Sequence, residues 1–90
     1  MAQITVIPQS DNHYLVTVSD SASSTTHQVT VTSDHLARYA PAGTSPEKLL
    51  HASFEFLLEH EPKESILSKF DLSVIERYFP EYPRHIRQRL

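Results

Sequence analysis

The stretch that decides the fold is residues 45–61, which read S-P-E-K-L-L-H-A-S-F-E-F-L-L-E-H-E. Ser45 is a residue type that caps helix N-termini, and Pro46 suits the first helical position because its φ is already close to the helical value. Pro62 disfavours helical backbone in the residue before it, so we expect the helix to end at Glu61. The stretch therefore predicts one continuous helix.

The apolar side chains of this helix cover a wide arc. At about 100° per residue they fall within roughly 200° on one side, while Lys48, Glu55 and Glu59 lie opposite. A helix on a protein surface buries a narrower stripe, so this arc indicates a helix that is covered from two directions and forms the centre of the core. The side chains on the arc are Leu49, Leu50, Ser53, Phe54, Phe56, Leu57 and Leu58.

Residues 1–32 alternate between apolar and polar side chains and are rich in β-branched residues, which is typical of half-buried strands. Three such segments, 4–7, 13–20 and 25–32, are separated by turn-forming residues. The pattern predicts a three-stranded antiparallel meander with one dry face and one threonine-rich face. Three strands are not stable alone, so we expect the helix of residues 45–61 to cover the dry face.

The remaining segments predict short helices. Residues 33–44 contain a short helical turn and a loop, and Gly43, the only glycine, is expected where the chain reverses direction. Prolines divide residues 62–90 into two or three short helices, the first over residues 62–70. The order of elements predicts an α+β fold in a single domain, residues 1–90, with the meander packed on the central helix.

Composition excludes several classes of protein. The chain has 90 residues, no cysteine and a formal net charge of −3. Without cysteine there is no disulfide framework and no thiolate zinc site. A negative net charge disfavours a general nucleic-acid binder, whose affinity depends on neutralising phosphates. The sequence contains no apolar run long enough to cross a bilayer and no signal-peptide pattern, so we expect a cytoplasmic protein.

Residues 43–53, G-T-S-P-E-K-L-L-H-A-S, resemble the start of the central helix in the OsmC-type peroxide-reducing proteins, where a similar G-x-x-P-E-x-L-L run follows a small three-stranded region. In that family a cysteine further along this helix is the peroxidatic nucleophile. The corresponding place in this chain, near Leu57, holds leucine, and the chain contains no cysteine. The resemblance therefore does not extend to thiol peroxidase chemistry.

The histidines lack the spacing of a metal site. A zinc site needs three or four converging ligands, commonly with two histidines three or four residues apart on one helix. His27 and His35 are eight residues apart, and His51 and His60 are nine apart. We therefore predict no metal and no cofactor, and we expect His27 to pack on the sheet with a satisfied ring nitrogen.

The sequence contains no assembled catalytic motif. Asp34, His35 and the many hydroxyl side chains provide the residue types of a hydrolase, but there is no nucleophile elbow and no glycine-rich oxyanion loop. Glu55 and Glu59 suit a solvated helix face better than an acid/base pair, which would lie in a cleft. We predict no catalytic residues, and a small hydrolase or a ligand carrier is the third hypothesis.

The C-terminal segment is the candidate interaction surface. In the favoured interpretation, the chain is a non-catalytic protein-interaction or regulatory module that forms a homodimer or binds another protein, and its last helix docks through Ile86 and Leu90. In the alternative, residues 62–70 and 72–79 form a helix-turn-helix, and arginines contact DNA phosphates as in a transcriptional or antitoxin-like regulator. Neither interpretation involves a membrane. The candidate surface comprises Arg77, Tyr82, Arg84, Ile86, Arg87 and Arg89.

Overall fold

The structure, a computed structural model, describes residues 2–90 and has the predicted α+β fold. None of the helices in this range has the length and apolarity that crossing a bilayer requires. The strands are β1 (Gln3–Ser10), β2 (His13–Ser19), β3 (Ser24–Thr30) and β4 (Lys69–Asp71), and the helices are α1 (Ser33–Tyr39), α2 (Pro46–His60), α3 (Val74–Tyr78) and α4 (Tyr82–Arg89), with a 3-10 turn at Lys63–Ser65.

The sheet has the strand order β1-β2-β3-β4. Its first three strands form the predicted antiparallel meander, in which Val6 lies opposite Val16, and Val16 lies opposite His27. Alternate residues point to opposite faces, so these three side chains share the face that the helices cover. The other face carries hydroxyl groups and is open, as the alternation predicts. One row across it consists of Thr5, Thr17 and Thr26.

The prediction of a helix over residues 62–70 is wrong. Lys63–Ser65 forms a single 3-10 turn without a side-chain cap, and Lys69–Asp71 is β4, which pairs in parallel with β3. Phe70 is buried, with its ring centroid 6.1 Å from that of Phe54. Pairing with β3 and burial of this ring stabilise the extended backbone over a short, uncapped helix. The sheet therefore has four strands rather than three, and the helix-turn-helix interpretation loses its first helix.

Helix α2 is covered from two directions, as its wide arc predicts. Ser45 caps its first turn through a side-chain hydrogen bond. Phe54 faces the sheet, with its ring centroid 5.3 Å from that of His27. Phe56 faces the C-terminal segment, with its ring centroid 5.5 Å from that of Tyr82. The sheet and the C-terminal helices thus pack on opposite sides of one central helix.

The loop before α2 reverses direction at Gly43, as predicted. Its φ of 88° lies in the left-handed region that favours glycine. Farther along, the last helix α4 docks on this chain, with Tyr82 and Ile86 both 0% exposed. The hydroxyl groups of Tyr82 and Ser53 share a hydrogen bond of 2.7 Å inside the core. Burial raises the pKa of the Tyr82 phenol.

Candidate binding groove

A groove opens beside the C-terminal end of α2, between β4 and α3. Its volume is about 350 Å³, which lies in the range of small-ligand sites in proteins, roughly 300 to 1,000 Å³. Most of its lining is apolar. The floor is formed by side chains that are also part of the core, so the groove reaches the edge of the core. The floor residues are Leu57, Ile66, Phe70 and Ile75.

Two large side chains at the rim of the groove are exposed to solvent. Leu67 is 48% exposed and Tyr78 is 68% exposed. Tyr78 follows Val74 by four residues on α3, so the two side chains lie on the same helix face and line the same groove. Exposed apolar side chains around a concave apolar site are typical of an interaction surface.

One end of the groove is negatively charged. Glu61 lines it, and within residues 2–90 this carboxylate makes no ion pair. The nearby ammonium group of Lys63 is 2.7 Å from carboxylate oxygens of both Asp20 and Glu64. These contacts raise the pKa of Lys63 and lower the pKa of Glu64. The lysine is therefore already neutralised, and the C-terminal end of α2 adds partial negative charge.

A second polar cluster has the residue types of a hydrolase but the wrong order. His35 Nδ1 accepts a hydrogen bond from the backbone N–H of Thr32, and Nε2 lies 3.0 Å from Asp71 Oδ1. The hydroxyl of Ser73 donates to the same carboxylate oxygen at 2.6 Å. Partial burial opposes ionisation, but the hydrogen bonds from Ser73 lower the pKa of Asp71. A nucleophilic triad needs the histidine in the middle, whereas here the carboxylate is.

A third polar cluster joins α1 to α3. The guanidinium of Arg38 donates to both carboxylate oxygens of Glu76 at 2.9 Å, and the phenol of Tyr39 donates to one of them at 2.8 Å. Burial and this carboxylate raise the pKa of Tyr39, and the hydrogen bond from the phenol, followed by those from the guanidinium, lowers the pKa of Glu76. The cluster faces away from the groove lining and positions α3.

His27 packs on the sheet, as predicted. Its ring is 2% exposed, and both nitrogens are bonded. Nδ1 donates to the carbonyl oxygen of Leu67 at 2.8 Å, so Nε2 accepts from the hydroxyl of Thr25 at 2.8 Å in the neutral ring. Its bond to the carbonyl of Leu67 fixes the backbone of the groove rim. Within residues 2–90, no three histidine or carboxylate side chains converge as metal ligands.

The C-terminal arginines of the candidate surface divide into two pairs. Arg87 donates to carbonyl oxygens at the C-terminal end of α1, at 2.8 and 3.2 Å, and Arg89 forms an ion pair with Glu59. Arg77 and Arg84 are exposed and make no ion pair within residues 2–90. Two of the four arginines thus bind this chain's own atoms. The other two members of the predicted surface, the tyrosine and isoleucine of α4, lie in the core.

The groove does not follow from the pattern of residues 62–70. That pattern predicts a helix, which places Leu67 on the same helix side as Phe70. In the strand that actually forms there, Phe70 points inward between two exposed neighbours. The polar-apolar-polar alternation of residues 69–71 is the signal for this strand, although three residues are too few to outweigh a helical pattern.

Comparisons with known protein families, curated proteins and solved structures find no match to this chain. The resemblance of residues 43–53 to the OsmC-type helix has no counterpart in these comparisons. In the structure Leu57, at the place of that family's cysteine, is 4% exposed and forms part of the groove floor. The function is therefore inferred from the groove and its surroundings.

Proposed function

We propose that this protein is a non-catalytic binding module that holds an apolar group of a partner molecule in the groove between α2, β4 and α3. The observation that carries the proposal is the exposure of Leu67 and Tyr78 at the rim of a concave apolar site. Full burial of a large apolar side chain contributes roughly 1.5 to 3 kcal/mol of free energy. A partner that covers these two half-exposed side chains gains part of that amount for each.

The polar clusters support binding rather than catalysis. Each of them joins secondary-structure elements: His35 contacts Asp71 across α1 and β4, and Arg38 contacts Glu76 across α1 and α3. None of these groups lines the groove. Glu61 is the one carboxylate in the lining, and within residues 2–90 it makes no hydrogen bond to the hydroxyl side chains that share the lining. A general acid/base pair or an activated nucleophile would require such a bond.

The groove can be tested with an uncharged apolar dye such as Nile red, whose emission increases on transfer from water to an apolar site. The double variant Leu67→Ser with Tyr78→Ser should lose most of the increase that the parent protein gives. The matched control is Ile7→Ser, because Ile7 is 49% exposed and lies on β1, at the opposite edge of the sheet. An equal loss in both variants, or a loss in neither, would contradict the proposed site.

We also infer that the chain self-associates through β1. This edge strand spans Gln3–Ser10 and has no charged side chain, although charged residues are a common protection of free strand edges. Pro8 and a register irregularity between Pro8 and Ser10 disrupt its end, which leaves the first five residues regular. Two copies can pair these segments in antiparallel orientation about a two-fold axis, which gives one continuous sheet.

Light scattering across a concentration series tests this pairing. Thr5→Lys adds a charge to the free edge and should lower the dimer fraction. Thr26→Lys is the control, since it lies in the same cross-strand row but on the interior strand β3. Glu55 lies beside the β1 edge, whereas Glu59 is paired with Arg89, so repulsion between the Glu55 carboxylates of the two copies should make the dimer fraction increase with ionic strength. A parent protein that is monomeric at all concentrations excludes the dimer.

A further inference from the structure

The groove lies beside an open strand edge. β4 is the last strand of the sheet within residues 2–90, and it pairs with β3 on one side. The hydrogen bonds at its two ends both run to β3. The N–H of Gln28 donates to the carbonyl of Ser68 at 2.8 Å, and the N–H of Leu72 donates to the carbonyl of Thr30 at 3.0 Å.

The backbone groups of two residues of β4 are therefore free to pair with another strand. Successive residues in a strand direct their N–H and C=O groups to alternate sides, so the backbone groups of Ser68, Phe70 and Leu72 all point toward β3. Lys69 and Asp71 direct their backbone groups away from it, and both residues are exposed. Such unpaired edge groups are a template for an added strand.

An added strand would place side chains directly into the groove. Phe70 lies between the two residues with free backbone groups, and its side chain points to the covered face, where it forms part of the groove floor. Neighbouring strands lie about 4.8 Å apart, and alternate side chains point to the same face. In a strand paired with β4, the covered-face side chains next to Phe70 thus lie over the groove.

The charge at the groove determines which type of partner side chain is favoured next to the apolar one. Glu61 lines the groove without an ion pair in the described part of the chain, and the closest lysine, Lys63, is bound by two other carboxylates. Lys69 precedes Phe70 in β4 and therefore points to the opposite, open face of the sheet. A positively charged partner group beside Glu61 is favoured, and a negatively charged one is disfavoured.

We propose that the partner is an extended peptide segment that adds a strand to β4, places an apolar side chain in the groove and places a lysine or arginine side chain beside Glu61. Both side chains lie over the same face, so they are separated by one residue in the peptide. Pairing of this kind draws affinity from main-chain hydrogen bonds and specificity from pockets for alternate side chains. The proposal rests on the proposed function, because it uses the same groove.

The test uses a short, capped, threonine-rich peptide that carries one phenylalanine and one lysine separated by one residue. Its affinity is measured by NMR titration of the full chain. We expect the amide signals of Lys69 and Asp71 to shift and to gain protection from hydrogen exchange. Glu61→Gln should weaken binding by up to about fivefold, which corresponds to the roughly 0.2 to 1 kcal/mol of a partly exposed ion pair. Glu55→Gln, on the outer face of the same helix, is the matched control and should leave the affinity unchanged.

A second peptide separates strand addition from binding in the groove alone. It carries N-methyl groups on the amides that would face β4, so it keeps the side chains but cannot pair, and we expect its binding to be lost. If it binds as tightly as the first and displaces the apolar dye, the groove function stands and strand addition is wrong. Glu61→Gln without effect on the lysine peptide would refute the charge selection.

Failure of the proposed function has a different signature. The Leu67→Ser, Tyr78→Ser double variant would then bind both the dye and the peptide as the parent protein does. A parent protein that binds the dye at the groove but binds neither peptide at any soluble concentration would overturn the peptide proposal alone. Loss of binding in the double variant, together with normal binding by Ile7→Ser, supports both proposals.

Discussion

Ile7 and Leu67 are equally exposed, at 49% and 48%, but their surroundings differ. Ile7 lies on the open face of the sheet, opposite Leu15, which in turn lies opposite the polar Gln28. Leu67 lies at the rim of an apolar groove whose floor belongs to the core. A flat face covers a partner's side chain on one side, whereas a groove covers it on several. Concave surroundings, rather than exposure alone, distinguish the candidate binding site.

The largest expected effect is on the groove floor. Leu57 is 4% exposed and belongs to both the core and the groove, so Leu57→Ala should lower the free energy of unfolding by about 2 to 5 kcal/mol. Ile7→Ala should lower it by less than about 1 kcal/mol, because half of that side chain is already in water. Denaturant unfolding measures both values. Equal losses of unfolding free energy would show that Leu57 and Ile7 contribute equally to the packing of the fold.

The second prediction concerns the contribution of Asp71 to stability at low pH. The pKa of Asp71 lies below its unfolded value of 3.8, so its contribution to stability is present above about pH 4 and is lost as the pH falls through the folded pKa. Asp71→Asn should therefore reduce the decrease in melting temperature between neutral and strongly acidic solution. Asp11→Asn, in the exposed turn between β1 and β2 near Ile7, is the control. If the two variants flatten the pH profile equally, the Asp71 carboxylate has no special stabilising role.

The third effect is small and should be equal at the two sites. Leu67→Ser and Ile7→Ser each replace a half-exposed apolar side chain, so each should change the free energy of unfolding by no more than about 0.5 to 1 kcal/mol. Calorimetry of the two variants checks this value. A much larger loss for Leu67→Ser would mean that its side chain stabilises the fold rather than a complex. Ile7→Ser would then no longer be a matched control for the binding experiments.

The last prediction is that added zinc has no effect on the melting temperature. His27 lies beneath the groove rim with both ring nitrogens hydrogen-bonded, so stoichiometric zinc should leave the melting temperature unchanged. A saturable increase that disappears in His27→Gln or in His35→Gln would show that a histidine is available to a metal. The hydrogen bond from His27 to the carbonyl oxygen of Leu67 would then not be enough to fix the backbone of the groove rim.

Much of the fold was predictable because its signals are local. The alternation in residues 1–32 has the period of a strand, and the arc of α2 has the period of a helix, so both are evident without their neighbours. The groove was not predictable, since β4 forms where a helical pattern competes with it. Its three residues are stabilised by pairing with β3, about forty positions earlier in the chain. No local pattern contains that pairing.

The sequence by itself determined the meander, the buried central helix, the reversal at Gly43 and the absence of thiol chemistry, because each depends on residue type and short-range spacing. Only the tertiary structure decided that residues 69–71 join the sheet and that the last helix docks on its own chain. It also decided that Arg87 binds the end of α1 while Arg84 stays exposed. Two arginines on one short helix look alike in sequence. They differ only in which distant backbone groups lie within reach, and packing of the whole chain sets that distance.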